Sequence, residues 1–376
     1  MSAAVQDPTG LETTEEIDAY LAANEWPHVD GNRVTFVYRG DADEVALRHW
    51  IFGLTSRQEL ARVAGTNLWH LTIDLPERSR VEYKLEVIEG ENARWVLDPL
   101  NPHRAHDPFG ANSVCQSSGY EFPEWASVDP ESRTGALETL RFRSTTYDDE
   151  RSLRVYLPAR FRRRTRYPLL VVHDGDDYLR YSGLKAVLDN LTHRLEIPPM
   201  IVALTNPVDR LVEYAASEKH ASFLVDELLP FLESSFPLVG TPATRGLVGA
   251  SFGAVATLST AWRHPGVFGK LLLQSGSFGF SDIGDHDRGP AFDPVVEFVN
   301  EFRERPGRPS SRAFVSCGVY ESLIYENRSM LPVFQSTGMD VRYIEARDGH
   351  NWENWRDRLR EGLSWLFPGP MWMVYE

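Results

Sequence analysis

Lysine is scarce in this chain of 376 residues. Only Lys84, Lys185, Lys219 and Lys270 carry it, and arginine supplies nearly all of the 39 basic side chains. Against 54 acidic residues the formal charge is −15, with the acid spread along the chain and not gathered in a tail. A nucleic acid or an anionic membrane surface is therefore not an expected partner. Cysteine is scarcer still. Cys115 and Cys317 lie far apart, and neither has a His or Cys neighbour at metal-ligand spacing, so a disulfide framework and a thiolate metal centre are both unexpected. No apolar run is long enough to span a bilayer. The opening residues Met-Ser-Ala-Ala-Val-Gln-Asp-Pro lack a basic, apolar leader, which makes the cytoplasm the expected location.

What is present suits an enzyme with more than one core, since 42% of residues are hydrophobic and 11% aromatic. Residues 11–24 read as a short acidic lead-in helix. Val34–Tyr38, Val45–Phe52, Leu68–Leu75 and Val81–Ile88 are alternating or β-branched runs between turn residues, as expected of a small immunoglobulin-like β-sandwich. After Asp98-Pro-Leu-Asn-Pro102 the periodicity fades, and residues 103–136 are rich in Ser, Pro, Gly and Glu. This divides the chain into an N-terminal domain at 1–125, a linker at 126–137 and a second domain at 138–376. In the second domain strands (139–145, 152–157, 168–173, 199–205, 244–249, 269–274, 312–317, 340–346) alternate with helices (183–194, 218–235, 254–264, 290–303, 324–337, 353–366). Runs such as Pro168-Leu-Leu-Val-Val172 lack alternation, as parallel strands covered on both faces do. The expected architecture is a mostly parallel sheet with helices on both sides, and a site at the carboxyl ends of its strands.

Gly249-Ala-Ser-Phe-Gly253 sits between the apolar run Gly246–Val248 and the helical stretch from Ala254. A serine on such a strand-to-helix turn holds its hydroxyl clear of the sheet beside the helix N-terminus, which points to Ser251 as a nucleophile for acyl transfer. The flanking glycines avoid collisions with strand and helix. His350, in the loop Arg347-Asp-Gly-His-Asn-Trp352 after the last strand, is the candidate base. Glu321, past the strand ending at Cys317, is the candidate acid to orient it. Glu326 and the aspartates at 282, 285 and 287 are alternatives, while Asp348 is too close in sequence to reach around His350. The N–H groups of Phe252 and Asp176 are the expected oxyanion donors, the second because Gly175 permits a sharp turn in His173-Asp-Gly-Asp-Asp177. A metal loop is the rival reading of that segment, but it lacks Ca²⁺-loop spacing.

Four stretches carry a resemblance: Gly249-Ala-Ser-Phe-Gly253; Asp348-Gly-His-Asn-Trp-Glu-Asn-Trp355 with Arg356; Glu227-Leu-Leu-Pro230; and Thr66-Asn-Leu-Trp69 with Leu97-Asp-Pro-Leu-Asn-Pro102. The chain resembles the enterochelin esterase family, in the esterase D branch of α/β-hydrolases, over most of residues 30–368. The resemblance implies an α/β-hydrolase domain behind the sandwich and cytoplasmic opening of ferric trilactone siderophores. It implies Ser251 as nucleophile and His350 as base, with Trp352 and Trp355 near the mouth; Trp355 reads equally well as a core anchor. Admitting an anionic tris-catecholate to so acidic a chain calls for local arginine, for which Arg210 and Arg356 are candidates. No metal or organic cofactor is expected, iron entering only with a small-molecule ester substrate. Feruloyl or acetyl ester hydrolysis on carbohydrate is the competing expectation.

Overall fold

The computed structural model describes residues 7–280 and 289–370. It divides into two compact units. One holds the described residues up to 122 together with the short segments 318–322 and 346–351, and the other holds the remaining described residues.

The first unit is built of antiparallel sheets. One runs His28–Asp30, Arg33–Arg39, Leu68–Asp74, Ala61–Arg62; the other Arg57–Glu59, Glu44–His49, Arg80–Glu89, Gly110–Gln116, Arg104–Asp107, with Asn92–Val96 also on Arg80–Glu89. Their alternating residues, Val34 and Phe36 from the first sheet with Val45, Leu47, Tyr83, Leu85 and Val87 from the second, gather in one buried cluster that also takes in Tyr320. The lead-in helix Thr14–Ala22 begins on a capping box made by Thr13 and Glu16. Within residues 103–136, where the sequence periodicity fades, Arg104–Asp107 and Gly110–Gln116 form a hairpin. Its small and polar side chains hide the strand pattern, although Ala105, Val114 and Cys115 are buried and Cys115 joins the cluster between the sheets.

The second unit holds an eight-stranded sheet in the order Ala136–Ser144, Asp149–Leu157, Ile201–Thr205, Leu169–Val172, Arg245–Ala250, Lys270–Gln274, Arg312–Gly318, Asp340–Ala346. The first two pairings are antiparallel and those from Ile201–Thr205 to Arg312–Gly318 parallel. Along Leu169–Val172 successive side chains enter two different cores. Leu169 and Val171 join a cluster with side chains of the helices Phe252–Arg263, Asp293–Glu304 and Ile324–Ser336, whereas Leu170 and Val172 join one with Leu184–His193 and Trp352–Leu366. Apolar side chains on both faces are why these strands read as unbroken hydrophobic runs.

The stretch expected as one helix over 218–235 is interrupted by a π-helical segment, Phe223–Leu228, between Glu218–Ser222 and Leu229–Ser235. Pro230 has no N–H to return to the preceding turn, and a widened turn absorbs that loss. Both cysteines are buried and neither forms a disulfide, and no helix among the described residues is long and apolar enough to cross a membrane.

Candidate active site

Ser251 follows Arg245–Ala250 directly and precedes the helix Phe252–Arg263. Its backbone has φ 57° and ψ −121°, a conformation a β-carbon disfavours and which typically costs on the order of 1–3 kcal/mol. Neighbours hold it there. Its N–H donates to the Gln274 carbonyl at 2.9 Å, and its own carbonyl accepts from Ala254 (3.1 Å) and Ser277 (3.3 Å). A Cβ on Gly249 would lie 2.1 Å from the Gly253 carbonyl oxygen, so the strand approaches the helix as only glycine allows. The second glycine is less constrained, since a Cβ on Gly253 would sit 3.4 Å from the Asp174 carboxylate and the His173 Cβ.

The Ser251 hydroxyl lies 3.2 Å from that of Ser277, which is buried. Ser277 was not among the expected site residues, although Gln-Ser-Gly-Ser277 at the end of the next strand was a visible signal. The N–H of Phe252 heads the following helix, where the opening amides have no intrahelical acceptor and the dipole favours an anion.

His350 and Glu321 meet within the first unit. The imidazole Nδ1 is 2.5 Å from Glu321 Oε2, and the other carboxylate oxygen accepts the Gly318 N–H at 2.6 Å. Glu321 is almost fully buried, while the His350 ring is about one third exposed at 36%. A buried carboxylate fixed at one oxygen by the backbone and presenting the other to Nδ1 sets the tautomer, with the proton on Nδ1 and the lone pair on Nε2. Glu326 lies buried on the helix Ile324–Ser336, and the aspartates at 282, 285 and 287 lie outside the described residues. Asp348 is held elsewhere, accepting the Gly349 N–H (2.7 Å), the Asn351 amide (2.8 Å) and the Arg80 guanidinium (3.2 Å).

The structure gives four of the expected positions partners of their own. The sharp turn after Leu169–Val172 is made by Asp174, at φ 51°, and Gly175 already opens the helix Gly175–Tyr181. Gly175 is needed because a Cβ there would lie 2.5 Å from the Leu204 side chain. The Asp176 N–H is bonded to the Asn206 side chain at 3.0 Å, so it is not a ready oxyanion donor. Arg210 is spent on structure: Nε and Nη2 clasp the buried Asp174 at 2.8–3.0 Å, and Nη2 also donates to the Ala250 carbonyl at 3.2 Å. Arg356 is buried and paired with its neighbour Asp357. Trp352, expected near a mouth, is 7% exposed and packs edge-on against Tyr178 and Trp355 in the core. Trp355 is a core anchor whose indole N–H donates to the Ser275 hydroxyl at 2.9 Å.

In the segment read alternatively as a metal loop, His173, Asp174 and Asp176 each have other partners. His173 is fully buried, with Nδ1 3.0 Å from the Val248 carbonyl and Nε2 3.1 Å from His220 Nε2. Burial pushes His173 down to about 4, and burial, with the charges of His173 and Arg151, pushes His220 well below its ordinary value. Both are neutral packing groups beneath the serine turn. Among the described residues no cluster of three His, Cys, Asp or Glu could hold a metal ion.

A largely parallel sheet flanked by helices, with a serine in a strained turn at the end of a central strand, defines the α/β-hydrolase type of esterase fold. The chain belongs to the Esterase family ("Putative esterase"), whose model matches residues 144–366, and it is by that membership a carboxylic ester hydrolase. Comparison with curated proteins finds the iron(III) enterobactin esterase of Dickeya dadantii, 25% identical over 90% of this chain and 88% of that protein. Among solved structures, the enterobactin esterase of Shigella flexneri, determined in the presence of enterobactin, matches in fold with a TM-score of 0.71 and 21% identity, covering 89% of this chain and 92% of its own. A ferulic acid esterase from Anaeromyces mucronatus matches with a TM-score of 0.53 and 15% identity over 64% of this chain and 94% of its own.

Proposed function

We propose that this protein is a cytoplasmic serine esterase that opens the ester bonds of a ferric catecholate siderophore, an enterobactin-like trilactone, for release of iron. The observation that carries the reading is similarity to an iron(III) enterobactin esterase along 90% of the chain, whereas likeness to the ferulic acid esterase reaches 64%. The two antiparallel sheets of the first unit are read, on the same grounds, as an immunoglobulin-like sandwich placed ahead of the hydrolase domain.

In this reading Ser251 Oγ attacks the lactone carbonyl while His350 Nε2 takes its proton. Glu321 holds Nδ1–H and stabilises the imidazolium that forms. The Phe252 N–H, at the helix start, binds the oxyanion of the tetrahedral intermediate. Collapse expels the alcohol, which recovers the proton from His350. Water, deprotonated by the same imidazole, then attacks the acyl-serine and regenerates Ser251. The chemistry needs the ester, water and these side chains, with iron arriving as cargo of the substrate.

The test is hydrolysis of ferric enterobactin and of methyl ferulate by the wild type and Ser251→Ala, followed by chromatography. Serine-dependent release of dihydroxybenzoylserine units is expected. Release of ferulate alone would move the substrate to carbohydrate esters, and activity surviving in the alanine variant would remove Ser251 as nucleophile.

A further inference from the structure

Within the first unit, every residue from 347 to 351 except His350 itself is tied by hydrogen bonds that converge on one arginine or its immediate partner. Arg80 opens the strand Arg80–Glu89, and its backbone N–H donates to the Arg347 carbonyl at 2.9 Å. Its guanidinium sends Nη1 to Asp348 Oδ1 (3.2 Å) and Asn351 Oδ1 (3.0 Å) and Nη2 to Glu82 Oε1 (3.1 Å). The side chain is 3% exposed and that of Asp348 6%. Asp348 in turn accepts the Gly349 N–H and the Asn351 amide through the same oxygen that Arg80 holds. The planar fork therefore grips the loop two residues before and one residue after the imidazole.

The acid is held from the same side. The Phe52 N–H donates to the Tyr320 carbonyl (2.8 Å), the Tyr320 hydroxyl lies 2.5 Å from that of Ser79, and the Tyr320 N–H donates to the Asp348 carbonyl (3.1 Å). The loops Gly318–Ser322 and Ala346–Asn351 are thus joined to each other and to residues 52, 79 and 80, with Arg80 the one buried cation in the join.

We propose that Arg80 is a positioning residue for His350, so that the N-terminal portion of the chain supplies part of the machinery that aims the general base. The inference rests on the reading of His350 as base. Ring placement enters the chemical step rather than the encounter with substrate, and a displacement of about 1 Å typically costs about 100-fold in rate. A small aryl ester such as 4-nitrophenyl butyrate reads the effect without involving recognition of a large substrate.

Arg80→Met is expected to lower kcat on that ester about 10- to 100-fold with KM within about twofold. Added guanidinium at tens of millimolar should restore several-fold of the loss by refilling the fork, and Arg80→Lys, which keeps the charge without the fork, should fall between the two. Arg57→Met, which removes a surface ion-pair hub of the same unit, controls for destabilisation alone and should leave kcat unchanged. Unchanged kcat in Arg80→Met, a rise in KM alone, or a loss that follows unfolding and ignores guanidinium overturns the proposal. If Arg80→Met does not fold, Asn351→Ala, which removes one acceptor of the fork, carries the same expectation at about 3- to 10-fold. His350→Ala and Ser251→Ala run alongside: activity retained in either of these would sink the parent reading, and activity lost there but kept in the Arg80 and Asn351 variants would sink only the role of Arg80.

Discussion

Glu321 does two things at once, accepting the Gly318 N–H with one oxygen and facing His350 Nδ1 with the other. Glu321→Gln keeps the shape but offers Nδ1 an amide whose better donor face favours the wrong tautomer. We expect kcat/KM for an aryl ester to fall about 10⁴-fold with little change in melting temperature, and a loss under tenfold would show that another carboxylate orients the imidazole. Ser277→Ala removes the hydroxyl 3.2 Å from Ser251 Oγ and is expected to change the rate of labelling by a serine-reactive phosphonate by less than about tenfold, because no proton transfer runs through it. The proposed catalytic side chains stand out in the sequence because each follows a strand end in the order Ser, acid, His. Arg210 and Trp352 were not, for a physical reason. Whether an arginine is free depends on a carboxylate 36 residues away in sequence, and whether a tryptophan faces solvent depends on the tilt of the helix that carries it.

The serine turn tolerates little change in the strand before it. Gly249→Ala places a methyl group 2.1 Å from a backbone oxygen, and the strand, helix and turn must part to admit it. Chemical denaturation should show a loss of about 3 kcal/mol or more. The Glu227-Leu-Leu-Pro230 segment, conspicuous in the sequence without an evident role, ties the strand Ala136–Ser144 to the interrupted helix. Glu227 accepts the N–H groups of Thr145 (3.0 Å) and Thr146 (2.7 Å) and the Ser144 hydroxyl (2.6 Å). Burial alone would raise its carboxyl, but these donors outweigh it and hold the group at about 2. A depressed carboxyl contributes stability above its unfolded value, near 4.5, and loses it as pH falls toward 2. The gap in urea midpoint between wild type and Glu227→Gln should therefore be constant above pH 5 and narrow below it. Most strands and helices were legible from periodicity. The hairpin at 104–116 was not, because two strands whose buried apolar residues are only Ala105, Val114 and Cys115 carry too few large side chains to show a period.

Stability of the hydrolase unit carries a pH signature set beneath the nucleophile. His173, pushed down to about 4 by burial, and His220, lower than its ordinary value for the same reason, remain neutral where an unfolded chain would take up protons. Their contribution is complete above about pH 6.5 and is lost as pH falls toward 4, at up to about 1.4 kcal/mol per pH unit for each histidine. Thermal midpoints measured from pH 7.5 to 4.5 should decline more steeply in the wild type than in His220→Gln. Equal slopes would mean that the pair titrates freely in the native state.

Because residues 318–322 and 346–351 belong to the same compact unit as residues 1–122, the order of synthesis and the order of assembly cannot coincide. At about 5–20 residues per second, roughly 10–45 s separate the emergence of Phe122 from that of Asn351. Throughout that interval Arg80 is a cation destined for burial whose partner Asp348 has not been made. The nascent first unit must wait with an open polar seam, and the proposed base meets its support from Arg80 only when the segment 346–351 has emerged.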